Sequence, residues 1–199
     1  MENTLRDLRV MFENYDRILN IEGVSYGEMY THAGRPIVLT SSGKKLLKEK
    51  PGIFLGAFEK PDYGRSPFAS GQSGDVYRVE AEGEVFAEKR YRCREDGITQ
   101  IHDMAKLSFL TKDLPRVRTP RTYYASREAL FMELIEARTW EQFVKDDPKM
   151  EGVLTKSFYK SGGMRRLSQN NILVCNDSKL VKVDENGEYE FVLVDPVIR

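Results

Sequence analysis

The stretch Ser70–Tyr91, S-G-Q-S-G-D-V-Y-R-V-E-A-E-G-E-V-F-A-E-K-R-Y, places the tightest constraint on the fold. Residues 76–80 and 85–89 alternate apolar and polar side chains, the period of a half-buried strand. Ala81-Glu82-Gly83 between them is a turn signal, so the segment predicts a β-hairpin. Gly71 and Gly74 come just before the first strand, with Val76 two residues further on. Glycines at such a place let the backbone approach a ligand closely and aim amide N–H groups at it, which suits phosphate. Lys89 closes F-A-E-K on the second strand, and a strand lysine beside a glycine-rich turn is a point charge within reach of the same phosphates. The competing reading of the glycine pair is ordinary turn chemistry.

The arrangement resembles the nucleotide-binding lobe of the protein kinase-like superfamily, whose Gly-rich loop G-x-G-x-x-G-x-V is followed by a strand lysine in V-A-I-K. On that pattern Ala69, Gly71, Gly74 and Val76 take the four positions, with Ala69 in place of the first glycine, and Lys89 takes the phosphate-binding lysine. The resemblance implies ATP as ligand, with Gly71, Gly74, Val76 and Lys89 around its phosphates. Further along, Ala129-Leu-Phe-Met-Glu-Leu-Ile-Glu136 resembles the kinase hinge. Met132 would then back the adenine pocket, and the backbone of Glu133 to Ile135 would bond the adenine edge.

A second stretch, G-G-M-R-R-L-S-Q-N-N-I-L-V at 162–174, resembles the kinase catalytic loop H-R-D-x-x-x-x-N, read as a polar loop leading into Asn-Ile-Leu-Val. Related loops occur in RIO and in lipopolysaccharide or aminoglycoside kinases. The metal-holding asparagine falls at Asn171, while Arg166 stands where the catalytic aspartate belongs and Met164 where the histidine does. Asp195-Pro196 after an apolar strand matches the metal-holding aspartate of D-F-G in an Asp-Pro form. A hairpin turning at Glu185-Asn186-Gly187 fills the interval between them, and Asn171 and Asp195 would sit on adjacent strand ends as hard oxygen ligands for Mg²⁺. The alternative reading makes Asn171 a turn cap and Asp195 a surface residue. In the family the helix after the strand lysine carries a glutamate that pairs with it; here 98–110 holds no glutamate, and Asp103 is its one acid.

The rest of the chain fills in the organisation. Leu5, Leu8, Met11, Phe12, Tyr15, Ile18 and Leu19 follow helical spacing and predict an amphipathic helix over 4–20. A strand is expected at 36–40 and a basic helical turn at 42–50. Its Lys44, Lys45, Lys48 and Lys50 read as a solvated face or a contact for an acidic partner. The Pro/Gly-containing loop 61–67 is the expected boundary between an N-terminal helical or irregular appendage (1–60) and the nucleotide lobe (61–136), with a reduced C-lobe over 137–199. A helix is expected over 98–111, strands over 122–125 and 129–134, and a short helix over 139–145 with Trp140 and Phe143 inward. The fold class expected is α+β: an antiparallel β-sheet lobe with a packed helix, followed by a strongly reduced kinase-like C-lobe.

Charge and cysteine content narrow the function. Lys+Arg and Asp+Glu both number 31, which argues against a dedicated nucleic-acid or anionic-membrane binder. No apolar run reaches the roughly 18 residues of a membrane span, and the first residues lack a signal-peptide apolar region. Cys93 and Cys175 are far apart and read as free thiols in a reducing compartment, so a cytoplasmic location is expected. His32 and His102 fit no zinc-ligand pattern, and Asp184, Glu185, Glu188 and Glu190 read as a solvated face.

Two functions follow from the resemblance and one stands apart from it. An atypical kinase would bind Mg-ATP and transfer phosphate to a protein or small molecule through Lys89, Asp195 and Arg166, the guanidinium stabilising developing charge. A pseudokinase would keep the nucleotide and serve as a regulatory module for a protein partner. The third reading is an α+β interaction domain that binds no nucleotide.

Overall fold

A computed structural model describes residues 15–21, 24–32, 35–50, 66–71, 74–92, 97–126, 128–194 and 197–198. The chain divides into two units, one made of 1–102 and 121–134, the other of 103–120 and 135–199.

The first unit is built on strands β1 Tyr15–Ile21, β2 Val24–His32, β3 Arg35–Thr40, β4 Ala69–Ser70, β5 Gly74–Ala81 and β6 Glu84–Tyr91. Helix α1 Ser41–Glu49 follows β3. After β6 the chain runs through α2 Gly97–Thr111, most of which belongs to the second unit, and β7 Val117–Arg118, which belongs to it wholly; β8 Thr122–Ser126 and β9 Ala129–Glu133 then complete the first unit. Eight of these strands form one sheet in the order β1-β2-β3-β8-β9-β6-β5-β4, every neighbouring pair antiparallel. The β5–β6 hairpin turns on Glu82 and Gly83, both at positive φ (47° and 78°), the two-residue geometry whose twist matches its strands. One face of the sheet carries a core of Ile37, Leu39, Phe86, Tyr124 and Phe131, and Leu46 of α1 packs into it. Phe86 stacks on Phe131 with centroids 4.9 Å apart. Thr40 caps α1: its hydroxyl accepts from the Gly43 amide (2.9 Å) and donates to the Thr122 carbonyl (2.6 Å), tying helix to strand.

Two expectations change here. Residues 15–21 are a strand, so the helix expected over 4–20 is not continuous; residues 4–14 lie outside the described residues. Tyr15, Ile18 and Leu19 fit a helical stripe as sequence, but pairing with β2 supplies ladder bonds that local spacing does not reveal. The segment read as an appendage instead extends the sheet, because β3 pairs with β8 through Ile37↔Ser126, Val38↔Ala125 and Leu39↔Tyr124. The expected boundary at 61–67 lies mostly outside the described residues. The α+β class with an antiparallel sheet and packed helices is as expected.

The second unit adds β10 Arg138–Thr139, α3 Trp140–Asp146, α4 Met150–Lys160, α5 Gly163–Gln169, β11 Ile172–Leu173, β12 Lys179–Val183, β13 Tyr189–Leu193 and β14 Val197–Ile198. Its main sheet runs β10-β12-β13-β7, with β7 parallel to β13. The core joins Leu107, Val117, Leu154 and Leu193 to three packed rings, Trp140, Phe158 and Phe191. Thr139 and Gln142 form a reciprocal capping box at the start of α3. The acidic hairpin is not merely solvated: Arg116 meets Asp184 (2.8 Å) and Glu188, and Arg118 meets Glu190 (2.9 Å). Strand β7, which holds Arg118 and directly follows Arg116, lies beside β13 although some seventy residues separate them in sequence. Among the described residues no helix is long and apolar enough to cross a membrane.

Candidate functional site

Strand register decides which side chains share a face, because residues directly opposite one another on paired strands point the same way. Lys89 on β6 is opposite Val76 on β5 and Leu130 on β9, and Ala87 is opposite Arg78 and Met132. Val76, Lys89 and Met132, identified from two separate stretches of sequence, therefore lie on one face. The alternate residues Phe86, Phe131 and Val79 belong to the aromatic core on the other face. Lys89 is only 7% exposed, and its ammonium lies over the Tyr91 ring, 5.1 Å from the centroid. Glu88 is also buried but faces away from Lys89, paired with Arg90 at 2.9 Å, whose guanidinium lies over Tyr77. Asp103 on α2 is half-buried.

The glycine turn closes between β4 and β5, with Ala69 opposite Val76 and Ser70 opposite Asp75. The Gly71 amide donates to the Gly74 carbonyl (2.9 Å), so that amide serves the turn. Gly74 has a structural reason of its own: a Cβ there would lie 2.0 Å from the Arg90 carbonyl oxygen. At Gly71 the nearest such atom, the Gly74 oxygen, is 3.9 Å away, which leaves room for a methyl group. Arg92 braces the turn through both oxygens of Asp75. Hydrogen bonds from Arg92 and then Ser70 hold the Asp75 carboxyl below its usual pKa.

At the hinge-like stretch Met132 is buried and Ile135 is buried just beyond β9. The Glu133 amide donates to the Arg121 carbonyl (2.8 Å), and its carboxylate accepts from the Arg121 amide (3.1 Å). Of the backbone groups expected at an adenine edge, the Glu133 N–H is thus already engaged.

In the second unit Arg166 lies within a helix, and Asn171 lies just past its end, directly before β11. Residues 163–169 form helix α5 where a polar loop was expected, and Arg166 lies within it, half-buried, its carbonyl accepting from the Asn170 side chain (2.9 Å). Asn171 follows the C-cap Asn170 in the left-handed region (φ 53°), and its side chain is exposed. Asparagine is the residue after glycine that best tolerates that conformation past a helix end. The strands β11 and β14 are adjacent but antiparallel, pairing Ile172 with Ile198 and Leu173 with Val197, so Asn171 stands at the Ile198 end of the pair. Asp195 lies outside the described residues. Among the described residues no three His, Cys, Asp or Glu side chains gather as a metal cage.

By strand register the face carries Val76, Lys89, Leu130 and Met132, with Arg78 at its β5 edge and Ala87 the smallest side chain in the group. Sequence reading passed over Ala87, although strand parity from Lys89 puts it there; it also passed over the Arg92–Asp75 brace.

No family model matches the chain. Nor does any curated protein. Among solved structures it is similar to the pseudokinase domain of BIR2, an immune regulator of the RLK/Pelle family, at 16% identity and a TM-score of 0.40. That similarity covers 76% of this chain and 56% of the pseudokinase chain.

Proposed function

We propose that this protein binds ATP with Mg²⁺ on the Lys89 face, in the manner of the kinase-like superfamily its motifs resemble, and holds the nucleotide without transferring phosphate. The supporting observation is the register that gathers Val76, Ala87, Lys89 and Met132 on one face beside the glycine turn. In this reading the turn at 71–74 covers the phosphates and Lys89 supplies the point charge. Val76 and Ala87 flank the adenine, Met132 backs it, and the backbone from Glu133 to Ile135 meets its edge. Mg²⁺ that arrives on nucleotide phosphates needs only one or two protein oxygens, so the lack of a carboxylate cage among the described residues is compatible with it. Asn171 and Asp195 are the proposed ligands, on motif alone.

Arg166 supports the second half of the proposal. A guanidinium cannot accept the proton of an attacking hydroxyl, and here it is set in a helix. The alternative is an ATP-dependent phosphotransferase that works by placement and charge neutralisation, which phosphoryl transfer permits in principle.

Thermal unfolding with and without millimolar Mg-ATP tests this. At about a hundredfold excess over Kd, mass action stabilises by about 2.7 kcal/mol, a rise of roughly 5–10 °C in Tm. Lys89→Met and Asp195→Ala lose that rise, and Gly71→Ala, which the turn has room for, reduces it. Gly74→Ala is uninformative, since its methyl group would strike the Arg90 backbone. No shift in the natural chain, or a full shift in Lys89→Met, overturns the binding site. Transfer of γ-labelled phosphate to any acceptor overturns the claim of holding without transfer.

A further inference from the structure

We infer that a groove in the second unit, between α4 and the β12–β13 hairpin, docks an extended acidic segment of a partner protein. The groove encloses about 600 Å³ and is lined by Arg116, Val153, Lys156, Ser157, Lys160 and Tyr189 among others. Val153, Lys156, Ser157 and Lys160 follow the spacing of one helical stripe, while Leu154 and Phe158 on the other side of α4 are buried in the core. The stripe exposes two cations and an apolar residue, Val153 at 44%. Among the described residues neither Lys156 nor Lys160 has an ion-pair partner. On the opposite wall Arg116 pairs with both Asp184 and Glu188, which more than offset its charge, so the free positive charge of the groove is that of Lys156 and Lys160 on the helix side.

Spacing selects the occupant. The two lysines stand one turn apart, about 6 Å along the helix. In an extended chain, side chains at i and i+2 share a face and lie about 6.6–6.8 Å apart. Carboxylates at alternate positions of an extended segment therefore meet both lysines, and apolar residues before and after them reach Val153 and the Tyr189 side. The inference is independent of nucleotide binding at Lys89.

Fluorescence anisotropy with a labelled Val-Ser-Asp-Ser-Asp-Ser-Val peptide tests it, with the Asn-for-Asp peptide as control. The natural chain binds the acidic peptide, and affinity falls about tenfold or more in Lys156→Glu/Lys160→Glu and for the Asn peptide. A charge-matched change on α1, Lys45→Glu/Lys48→Glu, leaves binding intact. No binding at millimolar peptide, equal binding of the two peptides, or an equal loss in the α1 variant overturns the proposal. Circular dichroism of both variants establishes that they fold.

Discussion

Gly43→Ala sets two effects of opposite sign against each other. In a helix interior alanine is favoured over glycine by about 1 kcal/mol. Gly43 lies in the first turn of α1, where a Cβ would stand 1.9 Å from the Tyr123 carbonyl oxygen and 2.8 Å from its carbonyl carbon. Both are backbone atoms of a central strand, so no rotamer change relieves the contact. Restoring an ordinary separation of about 3.4 Å moves the start of α1 by roughly 1.5 Å. That shift opens the packing of Leu46 against Phe86 and Phe131 and stretches the Thr40 hydroxyl between Gly43 and Thr122. Overpacking costs about 1–3 kcal/mol and a weakened buried hydrogen bond about 1 kcal/mol. Set against the propensity gain, the net destabilisation is about 2 kcal/mol.

Gly152→Ala on α4 is the reference, because a Cβ there meets nothing within 4 Å and only the propensity gain remains. Guanidinium unfolding reads both variants. Far-UV circular dichroism follows the whole chain, and the sole tryptophan, Trp140, follows the second unit. Gly43→Ala lowers the dichroism midpoint, and Gly152→Ala raises the tryptophan midpoint. A Gly43→Ala chain as stable as the natural one refutes the close docking of α1 on β8, and with it the place of residues 41–49 in the first unit.

Burial pushes the Tyr124 hydroxyl up to about 12. Above pH about 10 the unfolded chain gives up a proton the folded chain keeps, so stability present below that pH falls by about 1.4 kcal/mol per pH unit toward pH 12. Tyr124→Phe flattens the decline, as urea midpoints between pH 9 and 11 would show; parallel declines refute the assignment. At the hairpin, the Arg116 hydrogen bond holds the Asp184 carboxyl below its usual value of 3.8, so its contribution is present above that pH and lost as pH falls through the depressed value. Carboxyl NMR titration should find the Asp184 midpoint returning toward 3.8 in Arg116→Ala, and an unmoved midpoint refutes the pairing.

Local chemistry was legible in the sequence wherever period and turn residues agree. The β5–β6 hairpin, the β12–β13 turn at Asn186-Gly187, α2 ending at Thr111 and the short helix α3 all follow from residues adjacent in the chain. What escaped the reading depends on partners far away. Residues 15–21 become a strand because β2 pairs with them, β3 finds β8 across more than eighty positions, and β7 finds β13 across some seventy. No local propensity encodes those choices, since a strand needs an edge to join. The same holds for Gly43 and Gly74: both look like flexible positions in sequence, yet backbone approach from Tyr123 and Arg90 is what excludes a side chain there.

This distinction also weighs the two halves of the candidate site differently. Asn171 and Lys89 matched motifs equally well, but the fold already explains one of them. A residue in the left-handed region just past α5 favours asparagine whether or not a metal is near, so Asn171 needs no ligand to account for it. Lys89 occupies a regular strand position, where a β-branched apolar residue would suit both the backbone and the burial. Burying an ammonium there carries a desolvation cost that strand geometry does not require. The glycine turn divides the same way: close packing against Arg90 demands Gly74, while the space around Gly71 would admit a methyl group. The residues least explained by folding, Lys89 and Gly71, are therefore where loss of nucleotide binding discriminates best, and Asn171 is where it discriminates least.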